Sequence, residues 1–147
     1  MSGHYLFVYG TLRSVSGIPQ QDLLRTHAEL LGEACINAVM YELGGYPGIR
    51  LSSNPSDIVS GELYRLKHHQ HDQLLAQLDE YEECSPQFAL PHEFTRERVS
   101  VTLDHNQLVL RAWAYLYNRI PRPARRIASG DYYADDHGDY CGDYSGR

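Results

Sequence analysis

The sequence predicts an α+β fold, a small mixed β-barrel or strongly twisted sheet with two flanking helices. Two observations carry this prediction. Segments with the pattern of strands outnumber the two segments with helical spacing, and the two kinds do not alternate regularly along the chain. The chain has 147 residues, of which 42% are apolar. One domain is therefore expected, since a domain takes roughly 100–200 residues.

The first half of the chain predicts a strand, a loop, a helix and a second strand. Residues 4–9 are apolar on both alternating faces, as in a strand that is covered on both sides. Gly10 breaks this strand, and a loop extends to Pro19. Leucines at helical spacing predict a helix over residues 20–31, and a strand follows over residues 34–41.

The second half predicts further strands, one helix and a hairpin. The glycine-rich stretch at residues 44–48 predicts a turn. The turn-prone residues 104–107 separate two alternating segments, which indicates a hairpin. The predicted elements are a strand at 59–66, a helix at 70–82, and hairpin strands at 93–103 and 108–117.

The charge balance limits the classes of partner. With 13 basic and 19 acidic side chains the formal net charge is −6, whereas nucleic-acid binders need a basic surface, so no nucleic-acid partner is predicted. One arginine cluster is interpreted as a solvated loop, with an anion or RNA patch as the alternative. Its members are Arg119, Arg122, Arg125 and Arg126.

Composition also bears on location and on the chain's C-terminal part. No apolar run reaches the ~18 residues of a membrane span, and no signal-like segment opens the chain, so a cytoplasmic protein without a membrane partner is expected. The three cysteines are odd in number, which argues against a disulfide framework. A domain is predicted over residues 1–133, followed by an Asp/Gly/Tyr-rich tail at 134–147.

Glu82 departs from the pattern of its own helix. Leu74, Leu75 and Leu78 form an apolar stripe, and Glu82 falls on it, whereas Asp79 falls on the face interpreted as solvated. Burial and the helix C-terminus would both raise the pKa of the Glu82 carboxyl toward neutrality, the range of a general acid/base. The alternative is that the helix frays before Glu82 and leaves this side chain in water.

The loop after the first strand is a candidate binding element. It is the segment Tyr9-Gly10-Thr11-Leu12-Arg13. Gly10 would let the backbone approach a ligand, successive N–H groups could form an anion-binding nest, and Arg13 could add charge. The alternative is a tight turn that needs glycine for its conformation alone.

Two other kinds of site receive less support. A metal site would rest on His68, His69 and His71, but no second ligand pair has recognisable spacing, so no metal is predicted. A thiol nucleophile would rest on Cys84 with His92. These two residues are eight positions apart in a proline-containing loop, and that spacing matches no known nucleophile motif. Cys35 is interpreted as a small core residue.

Seven short motifs in order resemble the gamma-glutamylcyclotransferase-like family, nearest its small bacterial and gamma-glutamylamine cyclotransferase-type members. The resemblance covers about residues 4–133. The motifs are YLFVYGTLR at 5–13, GYPG at 45–48, VSGELY at 59–64, LDEYE at 78–82, FTR at 94–96, AWAYLY at 112–117 and SGDY at 129–132.

The resemblance implies a gamma-glutamylcyclotransferase-like barrel with a pocket between the first loop and a glutamate that ends a helix. It places that catalytic glutamate at Glu82, and it implies that Tyr9, Gly10, Thr11 and Leu12 hold the glutamyl group. Arg13 is taken as a further substrate-binding residue. The implied enzyme converts a small γ-glutamyl amine or amino acid to 5-oxoproline and a free amine, without a cofactor, as a monomer or homodimer.

The sequence departs from the family pattern near the expected pocket. Glu83 stands where a glycine usually follows the catalytic glutamate, and Phe94 stands where a tyrosine is frequent. Tyr115 or Tyr117 would then supply the missing hydroxyl, and Tyr115 is predicted to bind substrate. The segment 84–92 is a long insert that would shape the pocket mouth. The alternative function is a catalytically silent binding module for a γ-glutamyl or amino-acid ligand or a protein partner.

Overall fold

The computed structural model describes residues 4–10, 13, 19–67, 71–81, 93–122 and 125–133. In this part of the chain, neither helix is long and apolar enough to cross a membrane. The elements in chain order are β1 (Tyr5–Val8), α1 (Pro19–His27), β2 (Ala28–Glu42), β3 (Pro47–Leu51), β4 (Ile58–Leu66), α2 (His71–Tyr81), β5 (Phe94–Leu103), β6 (Val109–Tyr117) and β7 (Arg126–Ile127).

Five strands close a mixed barrel, which confirms the predicted fold class. The order around the ring is β2, β4, β1, β6 and β5, and the pairing of Ala34 with Leu103 closes β5 onto β2. β1 and β6 pair in parallel, and the other four pairings of the ring are antiparallel. β3 and β7 pair with β2 outside the ring.

β1 is buried on both faces, as its sequence predicts. Phe7 belongs to the cluster inside the barrel, together with Tyr9 just beyond the strand, whereas Leu6 and Val8 belong to a second cluster between the barrel and the helices. The apolar stripe predicted for α2 is likewise buried against the barrel. The helical members of the second cluster are Leu24, Leu74, Leu75 and Leu78.

The predicted helix over residues 20–31 is too long, because α1 ends at His27 and β2 begins at Ala28. The segment after His27 pairs with β4 from Ala28 onward, and this ladder replaces the helical hydrogen bonds. Leu30, placed on the buried helix face by its spacing, is 47% exposed. A register shift between Leu30 and Gly32, where the φ of Gly32 is 144°, bends the strand.

Two strands were absent from the prediction. The turn predicted at residues 44–48 is shorter, because Pro47 and Gly48 already belong to β3. β7 has only two residues, too few for any alternating pattern to indicate a strand. A Cβ on Gly48 would lie 2.6 Å from Leu43 Cδ1 and 3.0 Å from Tyr117 Cβ, so a side chain there would force these neighbours to shift.

A buried polar group lies between α1 and the barrel. The hydroxyl of Tyr64 accepts a hydrogen bond from Gln21 Nε2 at 3.0 Å and lies 3.5 Å from Glu62 Oε1. All three residues are buried. Burial, followed by the nearby negative charge of Glu62, raises the pKa of Tyr64 to about 12.

This buried phenol predicts a loss of stability at alkaline pH. The native state keeps the Tyr64 proton while the unfolded state releases it above its ordinary pKa of 10.0, so the free energy of unfolding should fall as pH rises from 10 to about 12. The total loss should be up to about 3 kcal/mol. Urea unfolding of wild type and Tyr64→Phe across this range measures it. Equal slopes for the two proteins would contradict the assignment.

Candidate functional site

The loop after β1 is packed tightly against β3. Tyr9 is 6% exposed, and its hydroxyl donates a hydrogen bond to the carbonyl of Tyr115 at 2.6 Å. A Cβ on Gly10 would lie 2.7 Å from Pro47 Cγ, so this position requires glycine for close approach. The next two residues of the predicted binding loop, Thr11 and Leu12, lie outside the described residues.

Arg13 is held by an ion pair with the C-terminal part of the domain. Its Nη1 donates to Asp131 Oδ1 at 2.8 Å, and both side chains are 10% exposed. Its backbone N–H donates to the carbonyl of Gly10 at 3.0 Å, which holds these two residues of the loop together. Arg13 Nε is buried and makes no hydrogen bond to any residue that the structure describes. The predicted contact of Arg13 with substrate remains a prediction.

The segment at residues 129–133 contacts both Gly10 and Arg13. The Tyr133 hydroxyl donates to the carbonyl of Gly10 at 3.1 Å, and its ring lies 5.3 Å from the Arg13 guanidinium carbon. The Tyr133 N–H in turn donates to Asp131 Oδ1 at 3.1 Å. We name Arg13, Asp131 and Tyr133 the loop clasp, because together they fix the carbonyl of Gly10.

The clasp is itself fixed to the barrel at Gly130. Its φ of 69° lies in the left-handed region, and a Cβ there would lie 1.9 Å from the carbonyl oxygen of Ile58. The Gly130 carbonyl accepts a hydrogen bond from the N–H of Ser60 at 2.7 Å. The position of Asp131 beneath Arg13 therefore follows from the attachment of Gly130 to β4.

The last turn of α2 carries a second polar cluster. Asp79 accepts hydrogen bonds from Arg96 Nε at 2.7 Å, from Arg96 Nη2 at 3.1 Å and from the Tyr115 hydroxyl at 2.8 Å. Its side chain is only 18% exposed, so the prediction that Asp79 lies on a solvated face is wrong. The physical reason is that donors from β5 and β6 satisfy this carboxylate where α2 meets the sheet.

Tyr115 joins the two candidate elements of the site. Its carbonyl accepts from Tyr9 at the end of β1, and its hydroxyl donates to Asp79 in the last turn of α2. The predicted catalytic residue, Glu82, follows Asp79 by three positions and lies outside the described residues. The substrate-binding role predicted for Tyr115 also remains a prediction, since the described contacts of its hydroxyl are with Asp79.

Phe94 is packed among tyrosines at the start of β5. It is 4% exposed, and its ring centroid lies 6.2 Å from that of Tyr46 and 5.8 Å from that of Tyr117. The Tyr46 hydroxyl donates to Glu93 Oε2 at 2.6 Å. A phenylalanine at position 94 thus sits beside two residues that each carry a phenolic hydroxyl.

The rival sites gain no support from the described residues. Within them, no group of three or more His, Cys, Asp or Glu side chains is arranged to hold a metal. His68, His69, Cys84 and His92 lie outside the described residues. Cys35, interpreted as a core residue, is only partly buried, because it alternates with the core residues of β2. Burial and the nearby Asp104 raise the pKa of its thiol, which disfavours a nucleophilic thiolate.

Sequence reasoning missed Asp79 and Tyr133 as parts of the site. The one signal for Asp79 in the sequence is its spacing from Glu82. Residues three positions apart are neighbours on a helix surface, so a helix that continued to Glu82 would bring the two carboxylates close together. Asp131 belongs to the SGDY motif, and nothing in its sequence context indicates a partner for its carboxylate. Glu83 and the insert 84–92 lie outside the described residues, as does the predicted tail at 134–147.

Comparisons with known proteins give the family and the fold of the chain. A family model described as "Gamma-glutamyl cyclotransferase, AIG2-like" matches residues 6–134. No curated protein matches the sequence.

Solved structures show the same fold. An AIG2-like protein from Mus musculus is 21% identical, with a TM-score of 0.69 and coverage of 94% of each chain. An uncharacterized protein from Pyrococcus horikoshii is also 21% identical, with a TM-score of 0.62 and coverage of 93% of this chain and 96% of its own. A structure titled gamma-glutamyl cyclotransferase is 15% identical, with a TM-score of 0.53 and coverage of 84% and 74%.

Proposed function

The chain belongs to the AIG2-like gamma-glutamyl cyclotransferase family, and we propose that it is an enzyme that converts γ-glutamyl amines or γ-glutamyl amino acids to 5-oxoproline. The other product is the free amine or amino acid. The proposal names Glu82 as the general acid/base and the loop at residues 9–13 as the element that holds the glutamyl half.

One observation carries the proposal beyond family membership. Tyr115 ties the end of β1 to the last turn of α2, through Tyr9 on one side and Asp79 on the other. The predicted binding loop begins at Tyr9, and the predicted glutamate follows the last turn of α2. Both segments therefore start next to residues that are hydrogen-bonded to the buried Tyr115. This arrangement supports a common site formed by the two segments.

The proposed reaction is intramolecular and needs no co-reactant. The α-amine of the glutamyl group attacks its own γ-carbonyl carbon, so a C–N bond of a five-membered ring forms while the γ-amide C–N bond breaks. The attacking nitrogen loses a proton and the leaving nitrogen gains one. A single carboxylate, that of Glu82, takes the first proton and donates the second. Proximity is supplied by the substrate itself once it is folded back.

The loop would contribute binding and charge stabilisation. Backbone N–H groups of residues 10–12 would bind the α-carboxylate or the developing oxyanion, as successive N–H groups in such loops do. Gly10, the first glycine of the loop, is held by Tyr133 and by Pro47 before substrate arrives. Arg13, whose Nε makes no hydrogen bond to the described residues, would be a further donor for the glutamyl carboxylate.

Release of 5-oxoproline tests the function directly. Purified protein is incubated with a panel of γ-glutamyl amino acids and γ-glutamyl amines, and 5-oxoproline is measured by mass spectrometry. Release from at least one member, absent with heat-denatured protein, is expected. No release from any member by protein that circular dichroism shows to be folded would contradict the enzyme. Binding of the same compounds without release would then favour the silent binding module.

A further inference from the structure

The outer face of the β5–β6 hairpin carries arginines and no carboxylate. Val99, Val101 and Ala112 belong to the core inside the barrel, so the residues that alternate with them face outward. The outward-facing cross-strand pairs of this hairpin are Phe94–Tyr117, Arg96–Tyr115, Arg98–Trp113, Ser100–Arg111 and Thr102–Val109. Within a chain of net charge −6, this face is therefore locally basic.

The three arginines of this face differ in how their charges are compensated. Arg96 is committed to Asp79, whose carboxylate accepts from its Nε and its Nη2. Arg98 and Arg111 are exposed, and neither forms an ion pair with any residue that the structure describes. Arg111 donates to Ser100 Oγ at 3.3 Å and to the Arg98 carbonyl at 3.2 Å, which holds its guanidinium group against β5 without neutralising it.

Trp113 lies among these arginines and has an unmet donor of its own. The guanidinium carbon of Arg96 lies 4.4 Å from the centroid of its ring, and that of Arg98 lies 5.0 Å from it. The indole Nε1–H is buried and makes no hydrogen bond to any residue that the structure describes. A buried donor without an acceptor is costly, because it has lost water and gained no partner. An acceptor beside this ring is therefore missing from the described part of the chain.

Three carboxylates on β5 or next to it do not supply that acceptor. Glu97 lies on the opposite face of β5, where its Oε2 accepts from Thr95 Oγ1 at 2.9 Å. Asp104 follows the end of β5 and is hydrogen-bonded to the thiol of Cys35. Asp79 is used by Arg96 and by the Tyr115 hydroxyl. The charges of Arg98 and Arg111 are thus left for a ligand.

We propose that Arg98, Arg111 and the indole N–H of Trp113 form a binding site for a phosphate group carried by a small molecule. A phosphate monoester has a charge of about −1.5 to −2 at pH 7, which matches two uncompensated guanidinium groups. Its acceptor oxygens can meet two arginine forks and the indole donor at the same time. Arg98 stacks on the indole and is exposed, so a shift of its side chain would open the N–H to the ligand.

Trp113 makes the site directly observable, because it is the only tryptophan in the chain. Inorganic phosphate is titrated into the full chain under tryptophan-selective excitation, with acetate and chloride at matched ionic strength as controls. Phosphate should change the emission with a dissociation constant of about 1 mM, as expected for two charge-assisted contacts. Acetate, which has one charge, should bind at least about tenfold more weakly.

Two matched variants separate the site from general screening of charge. Arg111→Gln removes one guanidinium group and leaves Arg98 stacked on the reporting indole, and it should weaken phosphate binding by at least about tenfold. Arg126→Gln makes the same change in net charge at an arginine that pairs with Asp57 at 2.9 Å. This control should keep the dissociation constant within about twofold of wild type, since its charge lies outside the site.

A third variant tests the indole donor. Trp113→Phe keeps an aromatic ring for the stacked arginines and removes the N–H. Isothermal titration calorimetry, which does not need the fluorophore, should show phosphate binding weakened by about 3–10-fold, the value of one hydrogen bond. An unchanged dissociation constant in this variant would contradict the part assigned to the indole.

The site as a whole can be overturned in three ways. Equal responses to phosphate, acetate and chloride would show only the screening of exposed charges. Equal affinities of Arg111→Gln and Arg126→Gln for phosphate would remove Arg111 from the site. Absence of both a fluorescence and a calorimetric response in wild type would exclude phosphate binding. None of these measurements uses 5-oxoproline release, so the result is independent of the proposed function.

Discussion

Replacement of Glu82 by glutamine is expected to lower kcat for 5-oxoproline release by about 10²–10⁴-fold, the range that general acid/base catalysis contributes. Glutamine keeps the size of the side chain and removes the oxygen that exchanges a proton. The effect should be large because one carboxylate serves both proton transfers in the proposed reaction. KM should change little, since the proposal assigns the holding of the glutamyl group to the loop at residues 9–13 and not to Glu82. Steady-state kinetics on the best substrate of the panel measure both constants.

Glu83→Gln is the matched control, because it removes the same charge from the adjacent residue. We expect this variant to keep kcat within about threefold of wild type, since a charge outside the proton-transfer path acts only through weak, screened interactions. Loss of activity in Glu83→Gln with retention in Glu82→Gln would reassign the catalytic carboxylate. Retention of kcat in both variants would show that neither carboxylate transfers the proton.

The barrel was predictable where the pattern of one segment is unambiguous. β1 is a short apolar run rich in aromatic residues and followed by Gly10, features that favour a strand covered on both faces, and its two faces lie in two core clusters. The hairpin of β5 and β6 follows from two alternating segments around a polar turn, and its register runs from Phe94 opposite Tyr117 to Thr102 opposite Val109. Both features depend on local sequence alone.

The errors fall where pairing with distant strands decides the local structure. Leu30 continues the leucine spacing of α1, yet it belongs to β2 because Ala28 begins a ladder with Leu66 of β4. β7 exists only because Ile127 pairs with Met40. A periodic pattern contains no information about such partners, so the end of α1 and the presence of β7 could not be read from it.

The candidate site divides in the same way. The importance of Gly10 can be predicted from the neighbouring sequence, because a glycine directly after a buried strand indicates a close approach of the backbone. The roles of Asp79 and Asp131 depend on partners that are remote in sequence. Asp79 receives the Tyr115 hydroxyl from 36 positions away, and Asp131 receives Arg13 from 118 positions away. In the sequence, these two carboxylates look like ordinary surface residues, because their donors come from strands and loops that only the folded barrel brings beside them.

Asp131→Ala is expected to destabilise the protein by about 3–5 kcal/mol, because it leaves the Arg13 guanidinium buried without its counter-charge. That loss would be a large part of the roughly 5–15 kcal/mol by which native domains are stable. The same change removes the acceptor for the Tyr133 N–H. The free energy of unfolding from urea titration measures the effect. Glu29→Ala, which breaks the exposed pair with Arg65, should cost less than about 1 kcal/mol.

A double variant separates the stability of the clasp from its part in substrate binding. Arg13→Met with Asp131→Leu replaces both charges by apolar side chains, so it should recover most of the stability lost in Asp131→Ala. If Arg13 also binds the glutamyl half, this stable variant should show a raised KM for every γ-glutamyl substrate. Wild-type KM in the double variant would restrict Arg13 to anchoring the loop. An unfolding free energy for Asp131→Ala within about 1 kcal/mol of wild type would contradict the clasp itself. A loss that small is typical of an exposed ion pair, whereas removal of one partner from a buried pair costs more.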